Sequence, residues 1–352
     1  MNTFGHNLRL TTFGESHGKA IGGIIDGFPS GFKIDFDALM KEVNLRKPGS
    51  SLLVTQRNES DIPEFLSGIS EEGVTLGTSI GFIIRNTDNR GKDYSELAEK
   101  FRPNHADFTY ESKYGIRDYK GGGRASARET ANWVVAGALA QQWLRTKGIE
   151  ITSALTGAGK ISYSSQILNH LSINPFENIS SILTEEMKKG IEEEIKNAKN
   201  QGDSIGGTVT CLIKGIPEGV GNPVADKLQS QLAASMLSIN AVKGFEYGLG
   251  MESALYSGSQ ILDIFTVDSL GKVITKTNFS GGIQGGITNG MPVFFNVAFK
   301  PTPTIMKELE TITKSGQETV LKMRGRHDPC VAVRGVPVVR AMAALVVADN
   351  LL

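Results

Sequence analysis

The sequence predicts one domain in which helices and strands pack as layers, in an α/β or α+β arrangement. Three observations lead there. No stretch of linker composition divides the 352 residues, and 39% of them are hydrophobic, enough for one large core. Short strand-like apolar runs alternate with amphipathic helical stretches along the chain. Glycine is abundant at 41 residues but sits in small clusters, such as Gly22–Gly23, Gly121–Gly123, Gly206–Gly207 and Gly285–Gly286. Such clusters punctuate ordered elements and are not low complexity.

Residues 7–14 and 20–27 read as strands on either side of GESHG. A helix over 35–45 follows, with Asp35 as N-cap and Pro48–Gly49 as its stop. Residues 50–61 read as an extended polar loop and 78–84 as a strand. Residues 85–125 show little regular pattern but many charges and aromatics, and so long a stretch is usually functional. The run Gly121–Gly123 leads into a helix over 125–146, then a strand over 149–156. The charged helix within 162–203 carries the pair Glu192–Lys196 and marks 160–203 as a surface excursion without chemistry. A strand over 204–217, a helix over 223–237 and strands near 260–267, 272–277 and 291–299 come next, and a final apolar helix spans 336–351.

One pattern occurs twice. AIGGIIDGFP (20–29) and SIGGTVTCLIKGIP (204–217) both put IGG in a strand, then a Gly-x-Pro turn, then a helix. An internal duplication would leave this order; so would two unrelated Gly-Pro turns.

Lys+Arg 37 balances Asp+Glu 37, so the chain lacks the basic field of a nucleic-acid binder. Cys211 and Cys330 offer neither a disulfide framework nor zinc spacing, and MNTFGHNLRL has no apolar leader, which fits a reducing cytoplasm. The longest apolar runs are too short to span a bilayer.

Chemistry concentrates in the turns. GGGRASARET (121–130) combines close-approach glycines, Arg124, Arg128 and a helix start, a strong anion site. GESHG (14–18) holds Ser16 and His17, RPNHAD (102–107) holds Arg102 and His105, and GRHDPC (325–330) holds Arg326, His327 and Asp328. Histidine is the default proton-transfer group near neutral pH. Taken singly, each motif reads equally well as a satisfied turn, an N-capped loop with Asn104 as the cap, or an ion-paired turn. The arginine tally tilts the balance: Arg46, Arg57, Arg102, Arg117, Arg124, Arg128, Arg326 and Arg334 lie in or beside these turns. They point to a small, multiply anionic ligand. The histidine spacing argues against a metal, and no P-loop, G-x-G-x-x-G strand turn or G-x-S-x-G elbow is present.

The series GESHGKAIGGIIDGFP, RPNHADFTY, GGGRASARETA, INAVKGFE, GGIQGGITNG, KPT and GRHDPC resembles that of the chorismate synthase family, in the same order and over nearly the whole chain. The resemblance implies an α+β fold of β-α-β sandwich layers, a single domain over 1–352 and a homotetramer. It implies anti-1,4-elimination of phosphate from 5-enolpyruvylshikimate 3-phosphate, with reduced FMN as cofactor. By the same resemblance His17 protonates the departing phosphate, His105 protonates or polarises the flavin, and Asp328 assists its N5. Ser16, Arg46, Arg102, Ser126, Arg128 and Arg326 hold the substrate. Arg124, Ala125, Ser126, Asn240, Ala241, Gly285, Lys300, Pro301, Thr302, Pro303, Thr304 and Arg326 contact FMN. With no reductase domain in 352 residues, the monofunctional type is expected, supplied with reduced flavin by an external flavin reductase and only indirectly by a reductant such as NADPH. Two positions depart from the family: Leu52 stands where a second arginine is common, and Arg340 where Glu is common. The latter predicts an altered surface or subunit contact. The rival readings are a flavin-binding protein without turnover and a phosphate-ester hydrolase.

Overall fold

The computed structural model describes residues 1–47, 61–86, 97–322 and 328–352. The first half of the chain forms β1 (Thr3–Phe4), β2 (Arg9–Phe13), β3 (Ala20–Asp26), α1 (Phe36–Arg46), β4 (Pro63–Phe65), β5 (Ile80–Arg85), α2 (Asp107–Tyr114) and α3 (Thr130–Arg145). The second half forms β6 (Glu150–Ala158), β7 (Ile161–Ser162), α4 (Ser164–Ile173), α5 (Ile179–Ile182), α6 (Glu185–Asn200), β8 (Gly207–Lys214), α7 (Leu228–Ser238) and β9 (Val242–Tyr247). It continues through the hairpins β10 (Phe265–Val267)–β11 (Val273–Thr275) and β12 (Ile283–Gln284)–β13 (Ile287–Thr288) to β14 (Val293–Phe299). The hairpin β15 (Glu308–Ile312)–β16 (Glu318–Lys322) and the helix α8 (Ala332–Leu351) close the chain.

Two antiparallel five-stranded sheets enclose a layer of helices. Their strand orders are β1-β2-β3-β5-β4 and β7-β6-β8-β14-β9. Helix α3 packs on β2 and β3, α8 packs on β6, β8 and β14, and α1 and α7 flank that pair. The architecture is therefore α+β, with β-α-β layers. A helix between two sheets must be apolar nearly all round. Val134, Val135, Leu139 and Leu144 of α3, and Val339, Met342, Leu345 and Val347 of α8, are accordingly buried. Among the described residues, no helix is long and apolar enough to cross a membrane.

The two halves repeat one plan. In each, a strand pairs with the central strand (β2 with β3, β6 with β8), a helix follows (α1, α7), and an edge strand (β4, β9) precedes the strand on the other side (β5, β14). A long central helix then closes the half (α3, α8). The two IGG–G-x-P segments are the equivalent central strands. Gly27 and Gly215, at the ends of those strands, both have positive φ (85° and 75°), and each lies against the backbone just before its neighbouring strand, at Asn7 and Gly148. A side chain would collide there in either half.

Residues 160–203 cover the outer face of the second sheet. Helices α4 and α5 lay Ile167, Leu168, Leu171, Ile179 and Ile182 on Leu212 and Phe294. Helix α6 buries Ile191, Ile195 and Ala198 and rests Met187 on the same cluster, and its charged face is turned to water.

Several local expectations change. The central helix begins at Thr130 and not at 125, because two 3₁₀ turns, Gly123–Ala125 and Ala127–Glu129, absorb the glycine-rich lead. Residues 107–114 are helical. Asn104 is not its N-cap: that position is Ala106, and Asn104 adopts a left-handed turn (φ 57°). Arg340 is not an open surface cation. It is a half-buried ion pair, 2.6 Å from Glu42 of α1, and its other nitrogen donates to Ser153 of β6 at 3.4 Å. Position 340 faces α1 because α8 runs through the centre of the molecule. The chain ends are tied together as well: the Asp349 carboxylate accepts backbone N–H bonds from His6, Asn7 and Leu8 at 2.9, 2.6 and 2.8 Å.

Candidate active site

The turn Gly121–Ser126 stands between two regions. On one side is a cavity of about 1120 Å³. Its walls include the aromatic side chains of Phe4, Phe13, Tyr110, Tyr114 and Trp133, and the polar residues His105, Asp107, Arg124, Glu129 and Asn240. On the other side lie Ser16 and His17, whose Oγ and Nδ1 are 3.0 Å apart. Gly121 touches this pair so closely that a Cβ there would run into the His17 ring and reach Ser16 Oγ at 3.0 Å.

Arg124 pins the turn to the first sheet. It donates to Thr12 Oγ1 at 2.7 Å and to Glu129 Oε2 at 2.6 Å. Asn240 donates to the Ala125 carbonyl at 2.8 Å, while its Oδ1 is buried without a hydrogen-bond partner. Ala241 adopts a left-handed backbone (φ 71°), rare for a residue with a Cβ, and its carbonyl accepts from Lys300 N at 2.9 Å. Lys300 Nζ then reaches the Asn104 carbonyl at 2.9 Å, and Thr302 Oγ1 the Asp328 carbonyl at 3.0 Å. The run Lys300–Thr304 thus laces Asn240–Ala241, the RPNHAD loop and the lead into α8 together.

Within RPNHAD, one carboxylate organises the rest. Asp107 receives two side-chain bonds from Arg102, at 2.7 and 2.6 Å, and lies 2.9 Å from His105 Nδ1 and 3.2 Å from Arg117. Arg102 also holds the Gly121 carbonyl at 2.8 Å. Burial works against an Asp107 anion, but the bonds from Arg102 and His105 outweigh it and hold the carboxyl far below the usual range. Burial lowers the His105 pKa from its ordinary 6.5, with Arg102 and Lys300 acting in the same direction and Asp107 opposing them.

Behind the turn runs a buried chain of ion pairs. Asp61, fully buried, binds Arg46 at 2.8 Å and also pairs with Arg128. Burial raises the Asp61 carboxyl, and the Arg46 and Arg128 charges bring it back below its ordinary value. Arg46 also donates to the Ala127 carbonyl at 3.1 Å, and Arg128 to Asn86 Oδ1 at 3.0 Å. Asn86 in turn donates to the Glu15 and Gly18 carbonyls, at 3.1 and 2.9 Å. Arg334 closes the chain, donating to the Arg46 carbonyl at 2.9 Å and to Asp328 at 2.8 Å.

The six arginines Arg46, Arg102, Arg117, Arg124, Arg128 and Arg334 therefore all carry a carboxylate partner. Most of them also hold a carbonyl, hydroxyl or amide oxygen, so an anionic ligand would have to share donors that are already engaged. His105, Arg124, Ala125 and Asn240 meet at the cavity. Ser16, His17, Arg46, Arg128 and Asp328 meet in or beside the ion-pair chain. Gly285 stands apart, exposed at the tip of the β12–β13 hairpin. Arg326, His327, Leu52 and Arg57 lie outside the described residues. Sequence reasoning passed over the counter-ions Asp61, Asp107 and Glu129. Asp107 has a signal: it is the single carboxylate of the motif that holds Arg102 and His105.

The family model described as chorismate synthase matches residues 8–352. The chain belongs to the chorismate synthase family. A chorismate synthase of Christiangramia forsetii is 51% identical, covering 99% of this chain and 96% of its own length. One of Bacteroides fragilis is 50% identical, covering 99% and 97%. A solved structure titled "Crystal Structure of Chorismate Synthase" superposes with a TM-score of 0.78 at 30% identity, covering 99% of this chain and 92% of that one. The similarity thus spans both sheets, the helical layer and both sides of the Gly121–Ser126 turn.

Proposed function

We propose that the chain converts 5-enolpyruvylshikimate 3-phosphate to chorismate and phosphate, the last common step of the shikimate pathway. In this anti-1,4-elimination the C3–O bond and the pro-R C6–H bond break, a conjugated ring diene forms, and there is no net redox change. Full-length membership of the family supports the reaction. The observation that carries the site is the Gly121–Ser126 turn, one wall shared by the aromatic cavity and the Ser16–His17 pair.

Reduced FMN fits the cavity. The space exceeds the roughly 300–1,000 Å³ of a drug-sized ligand site, the aromatic walls suit a flat ring, and Asn240 Oδ1 is a buried acceptor lacking a donor. Arg124, Ala125, Ser126, Asn240, Ala241 and the run Lys300–Thr304 would hold it, together with Arg326; for Gly285 no contact with the cavity supports the role. When bound, the reduced flavin supplies electron density for C–O cleavage and a nitrogen for the C6 hydrogen. His105 keeps a proton-exchanging nitrogen on the cavity wall. His17, oriented by Ser16, is the acid for the departing phosphate. Arg46, Arg102, Arg128 and Arg326 anchor the substrate anions, and Asp328, tied to Arg334, keeps a fixed carboxylate at the start of α8. Glu129 keeps Arg124 aimed along the turn.

The protein works in the cytoplasm as a homotetramer fed by an external flavin reductase. In support of assembly, the segment 251–273 exposes Met251, Leu255 and Leu270 at 82%, 82% and 90%, and single chains rarely leave apolar side chains so bare over one segment.

The test is an anaerobic assay with the phosphorylated enolpyruvyl substrate. Chorismate and phosphate are expected together, and only with reduced FMN. Phosphate release without flavin would support a hydrolase, and flavin binding without product a protein that has lost turnover. His105→Ala should keep the fold and lose most turnover; an unimpaired variant removes His105 from the mechanism.

A further inference from the structure

We propose that Asp107 is a positioning residue for the reaction: it fixes His105 as the tautomer protonated on Nδ1, so that the unprotonated Nε2 is the nitrogen offered to the cavity. The proposal rests on the flavin-dependent reading of the cavity, but its structural half can be tested without flavin.

The argument is one of donors and acceptors. His105 Nδ1 lies 2.9 Å from Asp107 Oδ1. An ionised carboxylate can only accept, so the shared hydrogen belongs to Nδ1. Asp107 stays ionised because it is enclosed by cations: Arg102 binds both of its oxygens, Arg117 stands 3.2 Å away, and its own side chain is 3% exposed. The Arg102 backbone N–H adds a further bond at 3.0 Å. The carboxylate cannot rotate away, because Arg102 is itself tied to the Gly121 carbonyl. Neutral imidazole carries one N–H, so protonation at Nδ1 leaves a lone pair on Nε2.

The charged groups facing His105 are Asp107 and Arg102 from its own loop and Lys300 from the segment after β14. Burial and the two cations favour the neutral ring, and Asp107 sets which neutral ring it is. Asp107 has no such part in any role assigned above. It acts through His105 and is not itself a catalytic group.

The experiment uses full-length protein with ¹⁵N-labelled histidine, the His105 signals being assigned by their loss in His105→Ala. Above the ordinary histidine pKa the wild type should show Nδ1 protonated and Nε2 not. In Asp107→Asn a side-chain amide can donate to Nδ1, so the Nε2-protonated form should appear and the His105 titration midpoint should fall. Turnover should drop by about ten- to a hundredfold, below the roughly 10²–10⁴ of a general acid–base group itself, while any rise in KM reports the loosened Arg102. Asp107→Glu should restore part of it. In a His105→Ala background, Asp107→Asn should cause a smaller fold-loss in turnover, the remainder being the share carried by Arg102. The proposal is overturned if wild-type His105 is protonated on Nε2, or if Asp107→Asn causes the same fold-loss with and without His105. Should Asp107→Asn not fold, the wild-type tautomer and Asp107→Glu kinetics decide. Absence of turnover by the wild type with reduced FMN would instead sink the functional reading and leave the tautomer result standing.

Discussion

Gly121 shows how one residue joins both sides of the site. Its carbonyl is held by Arg102, and its α-carbon lies against Ser16 and His17. A Gly121→Ala variant must push the His17 ring aside. Because a misplacement near 1 Å can lower a rate by about a hundredfold, turnover should fall on that order while the thermal midpoint shifts little. Comparing turnover with a melting curve checks this; a variant that loses both in step would point to a folding defect. His105 makes a pH prediction. The fold lowers its pKa, so the unfolded chain takes the proton first as pH falls. Between the two values the unfolded state binds more protons, and stability drops with pH. The His105 contribution is complete above the ordinary value of 6.5 and is lost as pH falls through the folded value. Urea midpoints at about pH 7.5 and about pH 5 should show the wild type losing ground to His105→Gln. Parallel curves would contradict it.

At the scale of elements, α8 does more than fill the middle layer. Near its start Arg334 holds Asp328 and the end of α1, in its middle Arg340 pairs with Glu42, and near its end Asp349 gathers three N–H groups ahead of β2. Asp349→Ala leaves those donors, of which the Leu8 N–H is buried, without their anion and should lower stability by about 1–3 kcal/mol, while Asp349→Asn, which keeps an acceptor, loses less. Equal midpoints in a denaturant series would rule out this tie. The same helix gives Arg340 its partner. A cation on a terminal apolar helix reads as surface, and only the crossing of α8 over α1 shows its partner to be internal.

The whole molecule is one plan used twice, two antiparallel sheets each contributing a long helix to a shared middle layer. The cavity borrows from both halves: β2 and the Gly121–Ser126 turn from the first, Ser238, Asn240 and Met342 from the second. Neither half alone would enclose it. The exposed segment 251–273 lies in the second half only, and the proposed subunit contact is placed there. Replacing Leu255 and Leu270 together by Asp should shift the mass measured by light scattering to a smaller species. A variant of unchanged mass would locate the subunit contact elsewhere.

The sequence by itself determined the layered class, the strands β2, β3, β5, β6, β8 and β14 of the two sheets, the recurrence at 20–29 and 204–217, and the turns that hold the chemistry. These rest on local physics: alternating burial, caps such as Asp35, and glycine where no side chain fits. RPNHAD, GESHG and GGGRASARET needed no tertiary information to be singled out. What only the tertiary structure decided is what those turns face. Asp61 reaches Arg46 and Arg128 across 15 and 67 positions, and Arg334 reaches the Arg46 carbonyl across 288. A list of arginines therefore looked like an open anion basin, whereas each described one is already paired. The counter-ions of buried charges are chosen by packing, because desolvation makes any nearby carboxylate a partner whatever its distance along the chain.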